Sequence, residues 1–351
     1  MDISVSKEKV AVAMSGGVDS CVAALLAVKG GREALGVTMR VFPEAPLQDS
    51  ADAAAAARKL GFEHVTLDLC DKFSDIVMRY FAESYMAGET PNPCVFCNKA
   101  IKFGLLFERA KQLGCNGIVT GHYARINKSD SSGRILLERA SYKEKDQSYV
   151  LWQLSQAQLG AAEFPLGTYS KAEVREIARE NGFVSSDRPD SQDICFVPDG
   201  NYRSFIEKFT GKTFAPGDFV GTDGKLWGRH NGIIGYTVGQ RKGLGISAPA
   251  PLFVIRKSVE ENRVYLGSND ELFSKQVKAK DVNLIAVERL DSPLRVTAKT
   301  RYSQKETPAT LIQTGETTAV VEFDEAQRAA TPGQSVVFYD GDTVVGGGII
   351  C

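Results

Sequence analysis

Two groups of residues in this chain have types and spacing suited to covalent chemistry. The first is Ser15-Gly16-Gly17-Val18-Asp19-Ser20, which follows the apolar run 9–14 and precedes a stretch rich in Ala, Val and Leu. Two glycines permit a tight turn with the backbone close to a ligand. The amides that follow, opening a helix, aim donors and a partial positive charge at an anion. The turn lacks the lysine of a GxxxxGK[ST] loop, so it is not a γ-phosphate cradle of that kind. A bare glycine turn before a helix is the plainer alternative. The second group is sulfur: Cys94-Val95-Phe96-Cys97 in a Pro/Asn loop, and Cys195 about a hundred residues later in Asp190-Ser191-Gln192-Asp193-Ile194-Cys195-Phe196. Cys97 stands just ahead of a helix expected from about residue 98, where the helix dipole should lower its pKa. Taken alone, a loop cysteine is more often structural than reactive.

The elements that must position these groups alternate through the first half. Strands are expected at 9–14, 34–39, 64–69 and 117–120, with helices at 19–29, 53–60, 72–87 and 98–113 between them. Strands separated by helices of this length imply a parallel sheet covered on both faces, a doubly wound α/β domain. Ser170-Lys171-Ala172-Glu173 is a capping box that opens a further helix, closed at Gly182. From about residue 213 glycines and turns multiply, and short runs such as LFVIR, RVYLG, LRVTAKTRY, TAVVEF, SVVFY and TVVGGGII recur. They predict antiparallel β-structure ending in a small barrel. The expected division is a catalytic domain at 1–205, a small β-rich central domain at 206–274 and a C-terminal β-barrel at 275–351.

Composition sets outer limits. The chain has 351 residues, 43% hydrophobic and 24% charged, an ordinary globular balance. No apolar run of about 18 residues is present, and the N-terminus lacks the apolar core of a signal peptide, so no membrane association and a cytoplasmic location are expected. A net charge of −1 neither argues for nucleic-acid binding nor excludes a locally basic face. Seven cysteines, an odd number in a reducing compartment, do not suit a disulfide framework. Cys21, Cys70 and Cys115, flanked by apolar residues or Gly, read as buried thiols.

The SGGVDS string resembles the signature of the PP-loop ATP pyrophosphatases, which cleave ATP between its α and β phosphates and adenylate a substrate. That resemblance implies ATP, with Mg²⁺, on Ala13, Met14, Ser15, Gly16, Gly17, Val18, Asp19 and Ser20. Met39 and Gly121 would flank the adenosine at strand C-termini, where an open α/β sheet places ligands. A uracil carbonyl oxygen is a poor leaving group; adenylation makes it a good one that a sulfur nucleophile can displace. Further blocks extend the resemblance over nearly the whole chain: TPNPxxxCNKxIKF at 90–103, TGHYAR at 120–125, KDQSYVL at 145–151, DSQDICF at 190–196, GYTVGQRKGLGI at 235–246, KTRYSQ at 299–304 and TPGQSVVFYDGDTVVGGGII at 331–350. In this order they resemble the tRNA-specific 2-thiouridylases, the MnmA/TrmU family.

By that resemblance Cys97 is the nucleophile and Cys195 carries the persulfide, with a disulfide between them during turnover. Asn92, Pro93 and Cys94 would meet the target base. His122, Lys145, Asp146, Gln147, Arg301, Tyr302 and Gln334 would contact tRNA, and a sulfur-donor protein, a cysteine desulfurase or a relay protein, would load the site. Many members carry Asp where this chain has Cys94. Three thiols with an open fourth position could hold a [4Fe-4S] cluster whose free iron binds sulfide; direct persulfide transfer is the rival. A structural zinc lacks a local fourth ligand. The alternative function is another PP-loop adenylating enzyme, an amide-forming synthetase on a small metabolite, which needs neither paired thiols nor a β-rich tail. An RNA-binding module without catalysis would leave SGGVDS unexplained.

Other residues carry less. His122 by position alone reads as a core histidine, and His64 and His230 as structural or solvent-facing. Arg241 and Lys242, in a glycine-flanked turn, read either as a solvated turn or as contacts to tRNA phosphates. Arg301 and Tyr302 pair charge with stacking surface, which suits a splayed-out base. Tyr80, Phe81 and Tyr85 have core spacing.

Overall fold

The computed structural model describes residues 8–43, 47–183 and 194–351; Asp190 to Asp193 of the DSQDICF block lie outside them. The first sheet is built from short apolar strands whose flanking helices cover both faces. β1 (Lys9–Ala13), β2 (Glu33–Arg40), β3 (His64–Asp68), β4 (Gly117–Val119) and β7 (Ala162–Glu163) pair in the order β3-β2-β1-β4-β7, all parallel. Val10, Ala11 and Val12 of β1 are fully buried, as a strand covered on both sides requires. The doubly wound expectation holds. The predicted capping box is present: Glu173 N donates to Ser170 Oγ and Ser170 N to Glu173 Oε2, opening the helix Lys171–Glu180.

A second sheet, order β10-β11-β8-β9, comprises β8 (Gly217–Gly221), β9 (Leu226–His230), β10 (Phe253–Ser258) and β11 (Arg263–Gly267). The C-terminal barrel runs β12 (Phe273–Leu284), β15 (Thr318–Arg328), β14 (Thr307–Gly315), β13 (Leu294–Lys299), β16 (Ser335–Asp340), β17 (Thr343–Ile350), and closes by pairing β12 with β17. Closure removes the open edges. The hairpin β5 (Ala124–Lys128) and β6 (Ile135–Arg139) leaves the first sheet and joins the barrel through Thr343 opposite Glu138.

This hairpin is one of several ties that fix the barrel against the parallel sheet. One core cluster runs from Leu35, Val37 and Ile118 through Tyr149 and Trp152 to Val337, Tyr339 and Val344. Trp152 Nε1 donates to Ser335 Oγ at 2.9 Å and Tyr149 OH to the Ser335 carbonyl at 2.8 Å. Arg139 is buried, forms an ion pair with Glu306 and stacks on Tyr339. Among the described residues no helix is long and apolar enough to cross a membrane.

Candidate active site

The phosphate turn is held from three sides. Gly16 has φ +74°, a conformation that side chains resist, and a Cβ there would run into the Asp49 backbone. Ser20 Oγ accepts from Ser15 N at 3.2 Å and donates to the Gly17 carbonyl at 2.9 Å. Thr38 Oγ1 donates to the Met14 carbonyl at 2.8 Å, tying the end of β1 to β2. Gly121, just past β4, lies so close that a Cβ would sit 2.9 Å from the Asp19 carbonyl carbon. Asp19 receives Lys171 Nζ at 2.8 Å on both carboxylate oxygens, and Tyr123 OH at 2.7 Å. The Lys171 side chain is only 13% exposed. Lys171 and Tyr123 were not singled out from sequence, because nothing in their local spacing ties either to the turn; only the fold does.

The cysteines lie at the same end of the sheet. Asn92 caps a helix that opens at Pro93, accepting from Cys94 N at 3.2 Å. The helix runs Pro93–Cys97 and passes without a break into a π-helical stretch, Asn98–Leu105. Cys97 therefore sits a turn inside the helix, not ahead of it. Its thiol is not lowered; burial pushes it up to about 12. Lys102 opposes that rise at Cys97, and also acts on Cys94 and Cys195. Residues five apart share a face when hydrogen bonds run i→i+5, which brings Lys102 beneath Cys97; ordinary helical spacing hid it.

Cys195 is carried into the same neighbourhood by its neighbour. Phe196 packs edge-on against Phe73 and Phe81, with centroids 5.8 and 5.2 Å apart. Met39, Cys97 and Phe196 all pack on one apolar cluster of Leu69, Phe73, Val77 and Ile101. Cys94 and Cys195 are exposed in residue terms, yet both thiols are raised by the protein around them, as expected for a recess. Among the described residues no group of three His, Cys, Asp or Glu side chains is placed to hold a metal ion. The three thiols as they stand do not fit the [4Fe-4S] cluster that was one of the two alternatives for them.

The loop before the cysteines is clasped by the other two sheets. Thr90 N donates to the Pro332 carbonyl at 2.8 Å, and Gln334 Nε2 to the Thr90 carbonyl at 2.7 Å. Lys280 pairs with Glu89 at 2.6 Å, and Thr90 Oγ1 meets Thr237 Oγ1 at 3.5 Å.

The residues expected to meet tRNA divide into two sets. Arg241 and Lys242 are exposed in their turn. Arg301 and Arg328 approach the same turn, within 3.6 and 3.7 Å of where a Cβ of residue 239 would lie, so cations from the barrel and the central sheet gather there. Tyr302 is 44% exposed, its hydroxyl donating to the Asp146 carbonyl at 3.1 Å. Lys145 is half-buried beside it. The second set faces inward. Asp146 is buried, its carboxylate accepting from Ala140 N, Ser148 N and Ser148 Oγ. Gln147 clamps Tyr123 through its side-chain oxygen and its backbone N–H. His122 is buried, 2.7 Å from Thr120 Oγ1, packed against Phe103 and Phe164, and burial lowers its pKa well below the ordinary range. His122, expected to contact RNA, is thus packed as a core histidine in this conformation.

Comparison with known proteins agrees along the chain. A family model described as tRNA methyl transferase HUP domain matches residues 8–199, one described as tRNA methyl transferase PRC-barrel domain matches 203–268, and one described as aminomethyltransferase beta-barrel domain matches 274–350. The chain is 47% identical over 353 residues to the tRNA-specific 2-thiouridylase MnmA of Clostridioides difficile, covering 98% of each chain. It is 46% identical over 357 residues to the enzyme of the same name from Acetivibrio thermocellus, covering 98% of this chain and 99% of that one. A solved 4-thiouridine synthetase–RNA complex with bound ATP is more distant, at 17% identity and a TM-score of 0.37, covering 58% of this chain and 54% of that chain.

Proposed function

The chain belongs to the tRNA-specific 2-thiouridylase family, and from that premise we propose that it uses ATP to replace the C2 oxygen of the wobble uridine, U34, of tRNA by sulfur. The observation that carries the reading is the meeting of Met39, Cys97 and Phe196, the neighbour of Cys195, on one apolar cluster that includes the end of β2, the strand paired with β1, which leads into the phosphate turn. ATP lies along Ala13 to Ser20, with its adenosine between Met39 and Gly121. The backbone amides of the turn hold the phosphates while the uridine O2 attacks the α-phosphorus and pyrophosphate leaves. Asp19 is the hard oxygen donor that Mg²⁺ accompanying the triphosphate would meet.

Sulfur reaches Cys195 as a persulfide from a donor protein. The Cys97 thiolate attacks the inner sulfur, a Cys97–Cys195 disulfide forms, and hydrosulfide is released beside the adenylated uridine. Hydrosulfide adds at C2 and AMP departs. The unit expected at 1–205 performs these steps, and those expected at 206–274 and 275–351 hold the tRNA, with Arg241, Lys242 and Tyr302 exposed and Arg301 half-buried beside them.

An amide-forming synthetase would need the phosphate turn but not three thiols around one cation, and would release AMP without tRNA. Mass analysis of tRNA nucleosides after incubation with ATP and a persulfide source tests the reading. Wild-type protein should form 2-thiouridine and Cys97→Ser should not; no product, or equal product from both, contradicts it.

A further inference from the structure

Cys94 and Cys97 lie three residues apart on one continuous helix. Residues so spaced are neighbours on a helix face, with Cβ atoms about 5–6 Å apart, within a small adjustment of the span that a disulfide bridges. The two differ in access. Cys94 is exposed, while Cys97 is half-buried against the Phe73 cluster. Cys195 shares the recess: it acts electrostatically on Cys97, and Cys94 acts on both. The chain thus sets an outer thiol, an inner thiol and a persulfide-bearing thiol within electrostatic reach of one another, and the sulfur transfer described above uses only the last two.

We infer that Cys94 is the resolving thiol of the cycle, taking the disulfide over from Cys195 so that Cys195 can be loaded again. This rests on the reading that sulfur release leaves a Cys97–Cys195 bond. In the exchange Cys94 gives its proton to solvent and its thiolate attacks Cys97 Sγ. The Cys94–Cys97 bond forms as the Cys97–Cys195 bond breaks, and Cys195 leaves as a thiolate that takes up a proton. Nothing is oxidised or reduced overall; the disulfide moves. It ends on the helix pair, whose Cys94 half faces solvent, and an external dithiol then reduces it. Attack from the neighbouring helical turn is intramolecular, and so outpaces attack by a dilute external thiol on Cys97 in its partly buried position.

The test follows the disulfide. Wild-type protein loaded with persulfide on Cys195 is given ATP and tRNA for one round without reductant, quenched in acid, alkylated and mapped by peptide mass spectrometry. The expected product is a Cys94–Cys97 disulfide with Cys195 alkylated. In Cys94→Ser the expected product is Cys97–Cys195. With an external dithiol supplied, the yield of later rounds relative to the first should fall about tenfold or more in Cys94→Ser, whatever the size of its first round. Wild-type protein that holds only Cys97–Cys195, or an unchanged ratio in Cys94→Ser, overturns the assignment. The tRNA is analysed in parallel: 2-thiouridine formed with all three cysteines still reduced overturns both the resolving role and the disulfide step beneath it. A wild-type protein making no 2-thiouridine fails the proposed function itself, and the two failures are told apart by that product.

Discussion

Replacing Gly121 by alanine isolates how tightly the phosphate turn is seated. A Cβ at this position would lie 2.9 Å from the Asp19 carbonyl carbon, 3.0 Å from the Ser20 amide nitrogen and 3.1 Å from Asp19 Cβ. Two of these neighbours are backbone, so no flexible side chain can yield; the Asp19–Ser20 segment itself must move. Overpacking of this kind costs about 1–3 kcal/mol. Because the strain is relieved in the segment proposed to face the phosphates, it should appear as ATP affinity weakened about 5- to 150-fold. Calorimetry with a non-hydrolysable ATP analogue measures this, and thermal unfolding runs beside it. Gly160→Ala is the control: its nearest neighbour would be Ile135 Cγ1 at 3.9 Å, inside the helix Gln156–Ala161. That change should leave ATP affinity alone and stabilise the fold by about 0.4–1 kcal/mol. Wild-type affinity and wild-type Tm in Gly121→Ala would refute the reasoning.

The ion pair at Asp19 gives a related expectation. Lys171→Met removes two 2.8 Å charge-assisted bonds, a loss of about 1.5–3 kcal/mol; the KM for ATP in pyrophosphate release should rise more than Tm falls, and an unchanged KM would place the pair outside the nucleotide site. Burial holds Cys97 up at about 12, with Cys94 and Cys195 also raised. The reactive thiolate therefore grows with pH, and single-round sulfur transfer should rise about tenfold per unit between about pH 7 and 9. Lys102→Met should lower that rate at every pH without altering the slope; a flat wild-type profile would contradict thiolate-limited release. Arg241→Ala with Lys242→Ala should weaken tRNA binding and make log affinity against log salt shallower by about 0.7–0.9 per lost phosphate contact, as read from filter binding across salt concentrations.

Much of this was legible because the parallel sheet follows simple rules. Strands such as Lys9–Ala13 are continuous apolar runs, and the capping box at Ser170 names its helix from side chains alone. The barrel's outline was legible too, since the strands that carry Val336, Val337 and Phe338 or Val344 and Val345 are strongly β-forming. β12 was hidden: in Phe273–Leu284 lysines alternate with Val277 and Ala279, so only one thin face is apolar. The hairpin Ala124–Arg139 was hidden for another reason, because its partner β17 lies some two hundred residues away and no local pattern records that.

At the site, residue types located the phosphate turn and the thiols, but not the environment of each. The dipole argument for Cys97 failed because the helix starts four residues earlier, at Pro93, and because burial outweighs the dipole there. Lys102 was masked by the π-helical stretch, which breaks the spacing by which helix faces are read. The inward turn of His122 and Asp146 depends on Phe103, Phe164 and the Ala140–Ser148 backbone, all brought in by tertiary packing.

Activation and thiolation at a single base can be separated by one labelling experiment. Cys195→Ser protein, unable to accept a persulfide, is mixed with tRNA and ATP labelled at the α-phosphate, and the tRNA is then isolated and digested. Labelled AMP should be found on the wobble uridine and should be chased to 2-thiouridine by added hydrosulfide. Label that never reaches tRNA, or tRNA-bound label that hydrosulfide cannot displace, would mean that the nucleotide turn and the thiols do not serve the same base.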